Sequence, residues 1–210
     1  MVVVALGGCT AAGKSTLVLE LQRAAAVRVV SCDDFFLPRE RCPRFDLQAL
    51  PWPGEEVPGA FLLRGDADWN VPAAIDWSGV ADAVVSAKQA AQSVVVDGMF
   101  ILADHPGART VLQMCDHAAV LWADEHAATE LCSRKYTRKH LGRRSYEERG
   151  VSAEEYRVYW ENYVWPAWLQ HGASSLPADC LRIGCTEEPA AQLDQLLGTG
   201  WFSHLTGDAR

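Results

Sequence analysis

No run of apolar residues in this chain approaches the length needed to cross a bilayer, so the protein is expected to be soluble, with no membrane partner. The seven cysteines include no C-x-x-C pair, and the six histidines show no H-E-x-x-H or comparable metal spacing. An odd, unpaired set of cysteines fits neither a disulfide framework nor a zinc site. They read as small buried hydrophobes in a reducing cytoplasm. Basic charge is also short: a net charge of −8 and a pI near 5.2 argue against a surface built to grip nucleic acid. A local basic site for a small anion fits inside an acidic body all the same. Leu6-Gly7-Gly8-Cys9 has the look of a lipoprotein cleavage site, but no Lys or Arg precedes it and the apolar stretch is short. A first strand running into a loop is the expected reading. Internal repeats are missing too, and 210 residues with 49% hydrophobic content make one domain, 1–210, with a full-sized core.

What is there begins with GGCTAAGKST, residues 7–16, directly behind the apolar run 2–6. Gly8, Gly13, Lys14 and Ser15 stand at the G-x-x-x-x-G-K-[ST] spacing of a phosphate-binding loop. Glycine lets the backbone fold around an anion so that successive N–H groups point inward. Lys14 adds a point charge and Ser15 a hydroxyl for Mg²⁺. A helix starting at Lys14 would aim its positive end at the same anion, with Leu17, Leu21 and Ala24 on its apolar face. Gly8, Thr10, Ala11, Ala12, Gly13, Lys14, Ser15 and Thr16 are therefore the expected nucleotide-binding residues.

Further along, residues 27–31 form a β-branched run expected to be a buried parallel strand, ending in SCDDFF. Ligands in open α/β sheets bind beyond the carboxyl ends of such strands, which puts Asp33 and Asp34 near a substrate hydroxyl. The plainer alternative is that one of the pair caps the next turn. Residues 37–72 are rich in proline and glycine with little periodicity, and are read as a substrate-covering insertion. At its end, Trp69 and Asn70 suit a flat ring and a sugar, unless the tryptophan simply pins the loop to the body. A helix over 75–91 precedes SVVVDGMFIL (93–102), where Asp97 closes an apolar strand. Beside a phosphate loop that carboxylate holds Mg²⁺; without one it would be an ordinary strand-ending turn.

A helix at 106–114, a strand at 118–122 and a helix at 125–139 follow, the last running into Arg134, Lys135, Arg138, Lys139, Arg143, Arg144 and Arg149. A solvated helix face, a nucleic-acid patch and a phosphate-clamping lid over 138–150 compete for this cluster. Gly142 and Gly150 bracket the arginines as hinges would, which favours the lid. Ser152 and Glu155 make a capping-box pattern at the head of an aromatic helix, 152–171, in which Pro166 should produce a kink and most aromatics are core. A strand at 180–183 and a helix at 189–197 complete the alternation; the tail 198–210 carries no signal. The pattern gives an α/β fold with a parallel five-stranded sheet and helices on both faces.

Taken together, GGCTAAGKST, SCDDFFLP, DWNVPAAID, VVVDGMFI, the arginine-rich segment and YVWPAW resemble the uridine kinase and nicotinamide riboside kinase branch of the P-loop kinases, over most of the chain. DDFF-x-P and VWP look closest to nicotinamide riboside kinases, and RRSYEERGVS to uridine kinases. The resemblance implies an ATP- and Mg²⁺-dependent kinase for a nucleoside-like small molecule, cytoplasmic, acting as monomer or homodimer. It implies Asp33 as the base for a ribose 5′-hydroxyl, Lys14 bridging the phosphates, and Ser15 with Asp97 at the metal. Asp34, Phe36, Trp69, Asn70, Arg134 and Tyr136 would face the substrate, and Arg138 and Arg143 the nucleotide. Two positions depart from the family pattern: Asn70 stands where an aspartate usually binds ribose hydroxyls, and Asp97 where glutamate is frequent. Kinases for pantothenate, phosphoribulose or a sugar, or a nucleotide-binding regulatory protein without catalysis, remain the alternatives.

Overall fold

The first strand, β1 (Val3–Gly8), is wholly buried, because valine and leucine side chains on both of its faces meet helices. It sits at the centre of the sheet in a computed structural model that describes residues 1–54, 56–62, 65–90, 92–139 and 144–205. The strands β2 (Val27–Ser31), β3 (Ser93–Asp97), β4 (His117–Trp122) and β5 (Leu181–Gly184) join it in the order β2-β3-β1-β4-β5, and every pair is parallel. Register places Leu6 beside Asp97 and Ser31 beside Asp97, so the ends of β1, β2 and β3 lie level. That line of strand ends is where the chemistry-bearing residues gather.

Among the described residues the α-helices are α1 (Lys14–Ala24), α2 (Gly59–Leu62), α3 (Trp77–Gln89), α4 (Pro106–Leu112), α5 (Glu125–Thr137), α6 (Ala153–Tyr159), α7 (Trp165–Ala167) and α8 (Pro189–Gly198). α1 packs with α8, and α3 with α4. Right-handed crossovers put these two pairs on opposite faces of the sheet.

Several expectations shift. β2 is an edge strand and only half-buried, with Arg28 exposed, and not the buried strand its β-branched run suggests; a charge on an edge discourages pairing with another chain. α3 begins two residues late, because the Asp76 carboxylate accepts from the Gly79 N–H (3.2 Å) and so caps the helix there. Ile75 instead bridges to Phe36. The segment 37–72 is not featureless: it holds α2 and two single helical turns (Arg39–Arg41, Leu47–Ala49), and its Cys42 and Ala67 form a small core with Ala74 just beyond it. Its Trp52 and Phe61 are buried against the main body, Phe61 against Tyr146 and Tyr159.

The capping box at Ser152 is present, with Glu155 N–H on the Ser152 hydroxyl (3.2 Å) and Ser152 N–H on the Glu155 carboxylate (2.6 Å). Around Pro166 the helix widens: π-turns at Trp160–Val164 and Trp168–Ala173 flank α7, which carries Pro166. Widening changes the hydrogen-bond register around a residue that has no N–H to give. The Asn162 side-chain amide donates to Val158 O (2.9 Å), satisfying a carbonyl within this stretch. Tyr156, Tyr159, Trp160, Tyr163 and Trp168 are core, as their pattern indicates.

Candidate active site

Built from its residues, the site starts with the turn between β1 and α1. Gly13, the residue before α1, has φ 103°, and Gly8 has φ 149° with the Leu121 carbonyl 3.2 Å from where a Cβ would lie. Both positions call for glycine. Ala11 also holds a positive φ, 63°, the kind of local strain found where a loop is shaped for a ligand. Ala12 N–H closes a turn on Cys9 O (3.2 Å), whereas the amides of Ala11, Gly13, Lys14 and Ser15 find no backbone acceptor among the described residues. No side chain caps α1 either. Free N–H groups at a helix start, converging with the helix dipole, make an anion site. The Lys14 ammonium folds back over the loop and donates to Gly8 O (2.8 Å) and Cys9 O (3.1 Å). The Cys9 thiol behind the loop is pushed up to about 12 by burial, so it packs as a neutral group.

Opposite stands Asp97. Burial raises its carboxyl above the ordinary range, against the opposing pull of Lys14 and of a hydrogen bond from Ser31, and Asp33 and Asp34 push it further up. The neighbouring Cys32 thiol is also raised by burial first, and feels Asp97, Asp33 and Lys14. Asp33, Asp34, Asp97 and Lys14 thus share one neighbourhood at the strand ends. Asp33 and Asp34 lie in a single helical turn, Cys32–Phe35, and both are exposed. Neither caps that turn: Ser31 precedes it, and no side chain bonds its end.

Among the described residues, no group of three His, Cys, Asp or Glu side chains could hold a metal alone. Ser15 and Asp97 fit Mg²⁺ by donor chemistry, offering hard oxygens and leaving its other positions to phosphate and water.

Elsewhere, Trp69 and Asn70 line a narrow recess of about 10 Å³, room for roughly one water, together with Phe45, Phe61, Tyr159 and Tyr163. Trp69 is also pinned: its indole bonds the Cys42 thiol, and its ring packs on the small core of residues 37–72. Phe36 is exposed and paired with Ile75, and does not line this recess. Arg134 lies toward β5, donating to Cys185 O (3.2 Å) and pairing with Glu130. Tyr136 donates its hydroxyl to Val151 O (3.0 Å) and packs on Tyr156, holding the chain after the arginine-rich segment. Arg138 is the exposed residue closing α5. Arg143 and Gly142 lie outside the described residues. Gly150 closes its turn at φ 79°.

No protein-family model matches the chain, and no curated protein sequence does. Solved structures do. A protein assigned as a fructose transport system kinase from Silicibacter sp. TM1040 superposes with a TM-score of 0.55 at 19% identity, over 85% of this chain and 88% of its own. A sugar kinase from Janibacter sp. HTCC2649 gives 0.55 at 13% over 98% and 95%, and a gluconokinase from Sinorhizobium meliloti 1021 gives 0.50 at 11% over 99% and 97%. The fold is that of the P-loop kinases.

Within this P-loop kinase fold, two buried polar residues carry no role in the sequence reading, Asp68 and Gln192. Asp68 is buried and accepts the Tyr163 hydroxyl together with the Asn70 N–H (2.9 Å). Gln192 is buried against the phosphate loop, donating to Gly184 O (2.9 Å) with its carbonyl oxygen near Gly13. Asp68 stands inside DWN and was there to be considered, but its partner is 95 residues away. Nothing local marks Gln192.

Proposed function

We propose that the protein is an ATP-dependent kinase that phosphorylates the 5′-hydroxyl of a nucleoside-like small molecule, of the nicotinamide riboside or uridine and cytidine type. The observation that carries this reading is the common neighbourhood of Lys14, Asp33, Asp34 and Asp97 at the strand ends, beside a loop with unspent amides. The loop amides and Lys14 hold the triphosphate, and Lys14 exchanges its two carbonyl partners for phosphate oxygens. The acceptor oxygen bonds to the γ-phosphorus as the bond to the β–γ bridging oxygen breaks. Asp33 takes the hydroxyl proton, and ADP leaves. Mg²⁺ bound by Ser15 and Asp97 would supply neutralising charge. Arg138, Arg143 and the rest of 138–150 serve as the lid, and 37–72 covers the acceptor, with Trp69 and Asn70 against it.

The test is acceptor-stimulated ADP release with nicotinamide riboside, uridine and cytidine, repeated on Asp33→Asn. Turnover should drop about 10²- to 10⁴-fold, the worth of a positioned general base, while ATP affinity holds. Unchanged turnover removes Asp33 from the base role. A second reading, a sugar or sugar-acid acceptor, draws on the likeness to a sugar kinase and a gluconokinase. Fructose and gluconate belong in the same panel and decide between the two.

A further inference from the structure

Of the two buried side chains on α8, Gln192 and Leu196, one is polar, and Gln192 is only 2% exposed. A leucine would pack there with no partner to find, whereas a buried amide must have its polar ends met. One end is fixed by chemistry. The Gly184 carbonyl can only accept, so the Gln192 NH₂ faces it, at 2.9 Å. The Gln192 carbonyl oxygen is thereby turned the other way, and it lies 3.7 Å from where a Cβ on Gly13 would stand.

The turn that holds the NH₂ is itself tied down: Cys185 N–H donates to Trp122 O (3.0 Å), and Arg134 donates to Cys185 O (3.2 Å). Gln192 thus reaches from a fixed turn at the end of β5 to the residue before α1. Gly13 has little else to steady it, since its φ is 103° and no side chain caps the helix.

We infer that Gln192 is a positioning residue for phosphate: anchored on the turn after β5, it steadies Gly13 and with it the unspent amides of Gly13, Lys14 and Ser15, so that a polyphosphate meets a loop already shaped for it. This rests on the kinase reading, because the polyphosphate is the tail of that reading's nucleotide. The charge of the group matters as much as its reach. A neutral oxygen near the start of α1 leaves the helix's positive end to the ligand, whereas a carboxylate in the same place would compete for it.

Calorimetric titration of the full-length protein with ATP and with inorganic tripolyphosphate, each with Mg²⁺, tests this. Gln192→Met keeps the length and removes both polar ends; its affinity for both ligands should fall about tenfold, the worth of one hydrogen bond. Gln192→Glu, at about pH 8 where a carboxylate is charged, should fall further through repulsion of like charge. Ligand-free melting curves give the folded fraction at the titration temperature, and affinity is counted per folded molecule. A Gln192→Met protein with the parent's affinities overturns the inference, as does a Gln192→Glu protein that binds no more weakly than Gln192→Met. Loss of ATP affinity with tripolyphosphate unchanged also overturns it, because the effect would then run through the turn after β5 and not through the loop.

In kinetics with whichever acceptor is turned over, Gln192→Met should raise the ATP KM and leave kcat and the acceptor KM little changed, the mark of lost uniform binding. A lowered kcat with the ATP KM unmoved counts against it. Weakened variants of a parent that phosphorylates no acceptor sink the kinase reading and leave Gln192 in its role. An active kinase whose variants bind like the parent does the reverse, and a parent that binds neither anion ends both.

Discussion

At Asp97, stability and function pull in opposite directions. Burial raises its carboxyl in the folded chain above the unfolded value, so the native protein keeps a proton over a pH window in which the unfolded chain has lost it. Stability accordingly falls as pH rises from the ordinary carboxylate range through the raised value, and the full penalty persists above it. Asp97→Asn removes the penalty and still bonds Ser31. At pH 7 without ligand the variant should be more stable by about 0.5–2 kcal/mol, the usual gain when a functional strain is relieved. Urea denaturation at pH 7 and at pH 4 checks this: the difference between variant and parent should shrink at the lower pH. Turnover should fall in the same variant, since a neutral amide is a poorer partner for Mg²⁺. The carboxylate's place was legible from VVVDG because a strand end fixes it locally. Its raised pKa was not, because the groups around it come from β2, the helical turn 32–35 and the phosphate loop.

Helices and segments carry the next level. Capping at Ser152 depends on side chains within three residues and reads directly, whereas the equally local cap at Asp76 lies inside the 75–91 stretch expected to be helical throughout. The π-turns either side of Pro166 depend on how tightly Trp160, Tyr163 and Trp168 pack, which no local pattern reports. The 37–72 segment shows the same division. Its prolines announce irregular backbone, but only the fold reveals that Phe61, fully buried, fastens it to Tyr146 and Tyr159. Phe61→Ala should destabilise the protein by about 3–5 kcal/mol in urea denaturation, through lost burial and the cavity left behind. Because Phe61 also lines the recess, the acceptor KM should rise more than the ATP KM.

Across the whole molecule, the two ends of the sheet differ: the carboxyl ends carry the residues of the proposed site, and residues 201–204 pack against the opposite ends. Phe202 is fully buried, Trp201 stacks on His117 at 4.4 Å, and His204 bonds the Ser93 hydroxyl at 3.1 Å, which in turn accepts Val2 N–H at 3.0 Å. Phe202 is therefore core and Trp201 and His204 pack at its edge, in a tail with no sequence signal. Deleting residues 201–210 should cost about 3 kcal/mol or more, the scale of losing one large buried aromatic, read as a lower melting temperature. Lys14 and Asp33 lie at the far end of the sheet, so ATP affinity in the folded fraction should hold.

From its sequence alone this protein determined its phosphate loop, the strand and helix alternation, most element boundaries and the helix caps. Each of these is set by backbone sterics or hydrogen bonds among residues a few positions apart. The tertiary structure alone decided that β2 is an edge, that Asp68 bonds Tyr163, that Gln192 reaches the loop and that residues 201–204 close one end of the sheet. Those features need groups from distant parts of the chain brought together, and it is packing of the whole core that selects such contacts.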